Sequence, residues 1–117
     1  MSVLGARQLI HAAVMQLAYV SDHPHRFGGT EYRLGARELG HIHGDSLVDL
    51  PFPTAIRNEL VGAGLAEPHH LLSDSGWVSL YLRQPEDVDR AIALFRRAYG
   101  LAQQKWRSRE RGRGENP

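Results

Sequence analysis

Three short strand candidates lie between residues 31 and 52, separated only by pairs of turn-forming residues. The candidates are EYRL (31–34), RELGHIH (37–43) and SLVDLPF (46–52), with Gly35-Ala36 and Gly44-Asp45 between them. Glycine at the first position of a two-residue loop is typical of a tight β-hairpin turn. The stretch therefore predicts three consecutive antiparallel strands.

Two-residue loops would also fix the register of these strands. Leu34 would pair with Arg37, Arg33 with Glu38, Tyr32 with Leu39, His43 with Ser46, His41 with Val48 and Leu39 with Leu50. One face would then carry Tyr32, Leu34, Leu39, His41, Val48 and Leu50, and the other Arg33, Glu38, Gly40, Ile42, Leu47 and Asp49. The first set is the more apolar, so it is the predicted core face.

The segments around this meander show other patterns. Apolar residues at helical spacing predict an amphipathic helix over residues 5–19, and SDHPHRFGGT (21–30) has the composition of a loop. Pro53 near the start and Gly64 at the end favour a short helix over 53–64. A second hairpin is predicted from residues 66–72 and 77–83, in which Val78, Leu80 and Leu82 alternate with Trp77, Ser79 and Tyr81.

The clearest helix begins near Pro85 and continues to about Trp106. Acidic residues occupy its first turns and basic residues its end, as the helix dipole favours. Its predicted apolar stripe is Val88, Ala91, Ile92, Phe95, Ala98, Tyr99 and Ala102. Residues 107–117 contain nothing apolar to bury, so we expect them to be disordered.

The predicted order is α-β-β-β-α-β-β-α, an α+β domain with an antiparallel sheet of about five strands and helices packed on one face. A chain of 117 residues suits a single domain, here residues 1–106. The absence of cysteine excludes disulfides and zinc–thiolate sites, and a net charge of +1 gives no reason to expect nucleic acid. No signal peptide or membrane-spanning run is apparent, so we expect a cytoplasmic protein, and the excess of arginine over lysine suggests a bacterial one.

Histidines are the candidate site residues. His41 and His43 lie two apart on a strand, so both imidazoles project from one face and can converge on a metal ion. A third ligand would have to come from Asp45, His69, His70 or Asp74. His41, His43 and His69 are the weak metal candidates, and the favoured interpretation is a half-buried His41 bonded to backbone with His43 at the turn.

The remaining polar motifs have simpler interpretations. His69 and His70 are adjacent, and in the predicted hairpin His69 would share a face with Val78 and His70 with Trp77. His23 and His25 are predicted to be surface groups in a loop. In DSGW (74–77) a turn is expected, with Gly76 at positive φ. Trp77 and Tyr81 could form an aromatic wall away from Val78, or pack under the N-terminal helix.

Four motifs, GHIHGD, LPFP, AEPHH and DSGW, together with EDVDRAIALFRRAY, resemble the small bacterial luciferase-domain family over residues 25–100. The resemblance implies no activity or catalytic residues, and the family label is not taken as evidence of light emission. The chain is too short for a (β/α)₈ barrel of the flavin-luciferase type, which needs about 250 residues. The layout is also similar, at the level of fold, to MmcQ/YjbR-type proteins.

Three functional hypotheses follow. The first is binding of an unknown small molecule or protein at a patch of His41, His43, Asp45, His69, His70, Asp74 and Trp77. The second is an enzyme using His41, His43, His69 and His70 as acid–base groups or metal ligands. The third is a non-catalytic interaction module, with a homodimer left open; the cofactor is unknown, and a membrane or nucleic-acid partner is not expected.

Overall fold

The computed structural model describes the backbone of residues 2–115 and the side chains of residues 2–109. The helices are α1 (Ala6–Met15), α2 (Thr54–Gly62) and α3 (Pro85–Glu115), with a short 3₁₀ helix at Arg26–Gly28. The strands are β1 (Val20–His25), β2 (Gly29–Leu34), β3 (Arg37–His43), β4 (Leu47–Pro51), β5 (Glu67–Pro68) and β6 (Trp77–Tyr81).

The six strands form one sheet in the order β1-β2-β3-β4-β6-β5, with every neighbouring pair antiparallel. The predicted α+β class is therefore confirmed. The order of elements is α-β-β-β-β-α-β-β-α, which adds one strand to the prediction.

The added strand is β1, in the segment that the sequence predicted to be a loop. Val20–His25 pairs with β2 along its whole length, from Val20 opposite Leu34 to His25 opposite Gly29. The prediction was wrong because Pro24, the two glycines and the turn-favouring side chains were interpreted as loop signals, whereas an edge strand tolerates proline and polar residues. The consequence is that His25 sits on the sheet and not in a surface loop.

A β-bulge shifts the pairing of β2 with β3. Leu34 pairs with Arg37 and Arg33 with Glu38, as predicted, but Tyr32 then pairs with Gly40 and not with Leu39. One extra residue on β3 opposes a single residue on β2, which reverses the alternation of faces beyond that point.

The second turn differs as well. His43 pairs with Leu47, so three residues and not two form the connection, and Gly44 lies at φ 56. His41 consequently pairs with Asp49, and the predicted pair of His41 with Val48 was wrong. Two-residue loops are the commonest choice for glycine-led hairpins but not the only one.

The core lies between the sheet and two helices. Helix α3 contacts β3, β4 and β6 and packs against α1, which in turn contacts β1. Phe95 of α3 meets Tyr32 of β2 edge to face, with ring centroids 5.5 Å apart. The buried residues of α3 are Val88, Ala91, Leu94, Phe95, Ala98 and Ala102, and Ile92 and Tyr99 pack against them, which matches the predicted stripe except for the addition of Leu94.

The second predicted hairpin exists only in part. Glu67 and Pro68 pair with Ser79 and Val78, but the segment from His69 to Gly76 is irregular. Val78, Leu80 and Leu82 are buried as the alternation predicted. Helix α2 packs beside β5 and β6.

Helix α3 does not end at Trp106, where the disordered tail was predicted to begin, but continues to Glu115. Arginine and glutamate sustain a helix without any apolar surface to bury, which a prediction based on burial misses. Residues 116 and 117 of the predicted tail lie outside the described residues. Among the helices of the described range, none has the length and apolar character to cross a membrane.

Candidate functional site

A row of polar side chains crosses the middle of the sheet. Glu31 pairs with His41 across β2 and β3, and His41 pairs with Asp49 across β3 and β4. Asp49 in turn pairs with Ser79 of β6. All four residues are buried. The chain neighbours of Asp49, Val48 and Leu50, are core residues on the side of α3. Because side chains alternate along a strand, the row points to the face opposite α3.

Asp49 is the centre of this row and is only 1% exposed. Its Oδ1 accepts a hydrogen bond of 2.7 Å from the Ser79 hydroxyl, whereas Oδ2 has no hydrogen-bond partner among the described residues. Three imidazole nitrogens nevertheless converge on Oδ2: the Nε2 atoms of His41, His43 and His69 lie 3.2, 3.5 and 3.6 Å away. A buried carboxylate oxygen without a hydrogen bond is costly, so this point of convergence needs an explanation.

His41 is held between two carboxylates. Its Nδ1 lies 2.7 Å from Glu38 Oε2, and its Nε2 faces Asp49. Strict alternation would place Glu38 and His41, three residues apart, on opposite faces; the bulge in β3 brings them to the same face. Burial lowers the pKa of His41, but its interactions with the carboxylates of Asp49 and Glu38 outweigh the burial and raise the pKa to about 9.

His43 and His25 lie beside His41. The His25 ring stacks on His41 with centroids 3.8 Å apart and an interplanar angle of 16°, and its Nδ1 lies 3.0 Å from Glu31 Oε1. The His43 ring meets His41 edge to face at 5.0 Å. Burial and the positive charge of His41 lower the pKa of His43, so its imidazole is neutral near pH 7.

His69 approaches from the irregular segment after β5. Its Nδ1 accepts hydrogen bonds from the backbone N–H groups of Leu71 and Leu72, both 3.1 Å. A neutral imidazole has one donor and one acceptor nitrogen, so the proton of His69 lies on Nε2, the atom directed at Asp49. Burial lowers the pKa of His69 and keeps the ring neutral.

Trp77 borders the histidines on the face away from Val78. Its ring centroid lies 5.3 Å from that of His41 and 5.9 Å from that of His69. Of the two arrangements left open by the sequence, Trp77 therefore adopts the one away from Val78 and does not pack under α1. His70 is exposed and stacks on His69 at 4.2 Å. The predicted sharing of faces in this hairpin was wrong: His69, not His70, lies with Trp77.

The structure brings together five of the seven residues predicted for the patch: His41, His43, His69, His70 and Trp77. Asp45 has a different, structural role. Its carboxylate accepts hydrogen bonds from the backbone N–H groups of Gly5 and Arg7, at 3.3 and 2.8 Å, and so fixes the start of α1. Within the described part of the chain, Asp74 has no hydrogen bond or ion pair with the histidines.

The sequence analysis missed Asp49, His25 and Glu38, as well as Glu31 and Ser79 of the buried row. Asp49 was placed on the face opposite the one predicted for His41, although an aspartate between apolar residues in LVDL is itself a signal. His25 was assigned to a loop, and Glu38 was predicted to pair only with Arg33. The two-residue spacing in HPH could have suggested a strand, but the position of a bulge has no comparable signature in the sequence.

The raised pKa of His41 predicts how stability depends on pH in the absence of added metal. The pKa is about 9 in the folded protein and 6.5 in the unfolded chain, so the stabilisation is complete below pH 6.5 and is lost as the pH rises through 9. Urea unfolding in EDTA should give a free energy of unfolding that falls over this interval, and less steeply for His41→Gln. Parallel profiles for the two proteins would show that His41 is not charged in the fold.

Comparison with known protein families gives a match to this chain. A family model described as "Luciferase domain" matches residues 36–98, more than half of the chain. No curated protein and no solved structure gave a match. The matched segment includes His41, His43, Asp49, His69 and Trp77, while His25 precedes it. The chain belongs to the luciferase-domain family.

Proposed function

We propose that the protein binds one divalent transition-metal ion through His41, His43 and Asp49. The observation that carries this proposal is the distance from Asp49 Oδ2 to the two Nε2 atoms, 3.2 and 3.5 Å. In a tetrahedral site with metal–ligand bonds of about 2.0–2.2 Å, neighbouring ligand atoms are about 3.3–3.6 Å apart. Each of the two nitrogens therefore lies at the spacing of a neighbouring ligand from Asp49 Oδ2, and an ion would supply the partner that Oδ2 lacks.

The surroundings of His41 support the same proposal. Histidine ligands of metals usually donate their second ring N–H to a carboxylate, which fixes the tautomer and orients the ring. Glu38 Oε2, 2.7 Å from His41 Nδ1, is placed to accept that hydrogen bond. Two imidazoles and one carboxylate form the set found in non-haem iron(II) sites, and such ligands suit iron, cobalt, nickel or zinc more than calcium or magnesium.

The other histidines are not arranged as ligands. One ligand atom of each of His25, His41 and His43 lies within 4.8 Å of the others, but the ring of His25 is stacked parallel to that of His41. A metal binds in the plane of an imidazole, so two stacked rings do not point at the same ion. His69 accepts two hydrogen bonds at Nδ1 and carries its proton on Nε2, which leaves no lone pair for a metal.

Three protein ligands leave coordination positions free for water or a small molecule, as catalytic sites do and closed structural sites do not. The proposed function is therefore a small metal-dependent domain that binds and activates an exogenous ligand. This combines the first two hypotheses from the sequence. Acid–base chemistry by the same histidines without a metal remains the alternative, and a metal titration separates the two.

Titration of the chelator-treated protein with Co(II) tests the proposal. We expect one ion per chain, visible absorption bands, and at least 100-fold weaker binding by His43→Ala, since ligand loss costs more than the 10–100-fold typical of supporting residues. His23→Ala is the matched control, because His23 bonds Ser21 on the edge strand at 2.8 Å and takes no part in the cluster. Absence of binding, or equal affinity of wild type and His43→Ala, would exclude the metal site.

A further inference from the structure

We propose that His69 is the hydrogen-bond donor to an anionic oxygen ligand bound at the metal. This inference rests on the proposed function and adds the chemical class of the ligand. The ligand would occupy a free coordination position and accept the Nε2–H of His69. An oxygen that carries negative charge meets both requirements, and carboxylates, enolates and phenolates supply one.

The tautomer of His69 is fixed by the backbone. Two N–H groups, from Leu71 and Leu72, donate to Nδ1 at 3.1 Å each. Nδ1 is thus committed as an acceptor, and Nε2 carries the hydrogen. The turn that follows His69 in HHLL presents both amides to one ring nitrogen, so the donor is oriented before any ligand arrives.

The donor is aimed at the proposed ion but has no short partner there. His69 Nε2 lies 3.6 Å from Asp49 Oδ2, beyond the usual range of an N–H···O hydrogen bond. A ligand oxygen about 2 Å from an ion that Oδ2 also binds would lie about 3.5 Å from Oδ2, close to the 3.6 Å at which His69 Nε2 lies. His69 is therefore a committed donor at a distance from Oδ2 that suits contact with such a ligand.

Burial makes this donor effective. The His69 side chain is 8% exposed, and Trp77 borders both it and His41. A hydrogen bond to a charged acceptor is stronger where water is excluded. The indole also supplies an apolar wall next to the ion, which a conjugated part of the ligand can contact.

The test uses the full-length protein loaded with Co(II) and acetohydroxamate, an anionic ligand with two oxygens, as the probe. Pyridine, a nitrogen ligand with no oxygen to accept from His69, is the comparison probe. His69→Phe removes the donor and keeps a ring, His69→Gln restores an N–H donor, and His70→Phe makes the same change at the exposed neighbour. Co(II) stoichiometry and ligand affinity are both read from the visible spectrum.

We expect one Co(II) per chain in all four proteins. His69→Phe should bind acetohydroxamate about tenfold more weakly or worse, as expected for a lost hydrogen bond to a charged group, while its pyridine affinity stays within about twofold. His69→Gln should recover most of the affinity, and His70→Phe should match wild type.

Two results would overturn the inference while leaving the metal site intact. Unchanged acetohydroxamate affinity in His69→Phe and His69→Gln would show that His69 does not touch the ligand. Loss of Co(II) from both variants, with circular dichroism unchanged, would show that His69 is itself a metal ligand. Absence of Co(II) binding by wild type would instead overturn the proposed function and this inference together.

Discussion

The variant Asp49→Asn should bind Co(II) at least 100-fold more weakly than wild type while keeping the fold. Supporting residues around a metal typically contribute 10–100-fold in affinity, and a direct carboxylate ligand contributes more than they do. Asparagine removes the negative charge and the oxygen lone pair of highest basicity, but its size is the same. Competition with a chelator of known affinity, followed by visible absorption, measures the loss.

The fold is expected to survive because the other half of the Asp49 carboxylate is a structural contact that asparagine can keep. The Ser79 hydroxyl donates to Oδ1 at 2.7 Å, and a carboxamide oxygen accepts the same hydrogen bond. Far-UV circular dichroism of Asp49→Asn should therefore match wild type.

Asp45→Asn is the matched control for this experiment. It makes the same chemical change four residues earlier, at a carboxylate that caps α1 through the Gly5 and Arg7 amides. The asparagine side-chain oxygen can still accept the shorter of these hydrogen bonds, from Arg7, so we expect unchanged Co(II) affinity and only a modest loss of stability. If Asp49→Asn retained wild-type affinity, Asp49 would not be a ligand and the convergence of the three histidines would have no metal at its centre.

The elements with clear periodicity were predicted well from the sequence. The apolar stripe of α3 and the alternating apolar residues Val78 and Leu80 of β6 are buried as predicted, because burial on one face imposes a period that a single chain displays. The α+β class followed from these elements and from the glycine turns between β2, β3 and β4. Strand β1 was missed because its sequence, VSDHPH, shows little such period.

The site was predicted only in part, because its geometry depends on register. The sequence identified His41, His43, His69 and Trp77 as candidates, and the structure places all of them near Asp49. Asp49 itself was missed because the connection is one residue longer than predicted. The observed register places His41 opposite Asp49, where the predicted register had Gly40, and so moves His41 off the predicted core face. His25 was missed because β1 was predicted to be a loop. Glu38 was missed because the bulge, which brings it to the face of His41, was not predicted.

The motif DSGW has a structural cause that the sequence analysis did not identify. Gly76 was predicted to adopt a positive φ, but among the described glycines the positive values occur elsewhere, including Gly35 and Gly44. Glycine is needed at position 76 because the backbone of Phe52 passes too close for any side chain. A Cβ added at Gly76 would lie 2.0 Å from the carbonyl oxygen of Phe52. The Phe52 N–H also donates to the Gly76 carbonyl at 3.0 Å, so the two backbones are held together where β4 ends and β6 begins.

Gly76→Ala should therefore be among the most destabilising single substitutions in the domain, by about 3 kcal/mol or more. The obstacle is backbone and not the end of a flexible side chain, so relief requires β4 and β6 to separate next to Trp77. That loss is a large share of the 5–15 kcal/mol typical of a domain. Urea unfolding followed by circular dichroism measures it.

Gly100→Ala is the matched control, because it adds the same methyl group at a position where there is space for it. Gly100 lies inside α3, and no heavy atom outside its own helix backbone lies within 4 Å of an added Cβ. Alanine should stabilise the helix by about 0.5–1 kcal/mol, since it loses less backbone entropy on folding than glycine. Equal effects of the two substitutions would contradict the close approach of Gly76 to Phe52. Destabilisation confined to Gly76→Ala, with weaker Co(II) binding through the displaced Trp77 and β4, would show that this contact also holds the candidate site in shape.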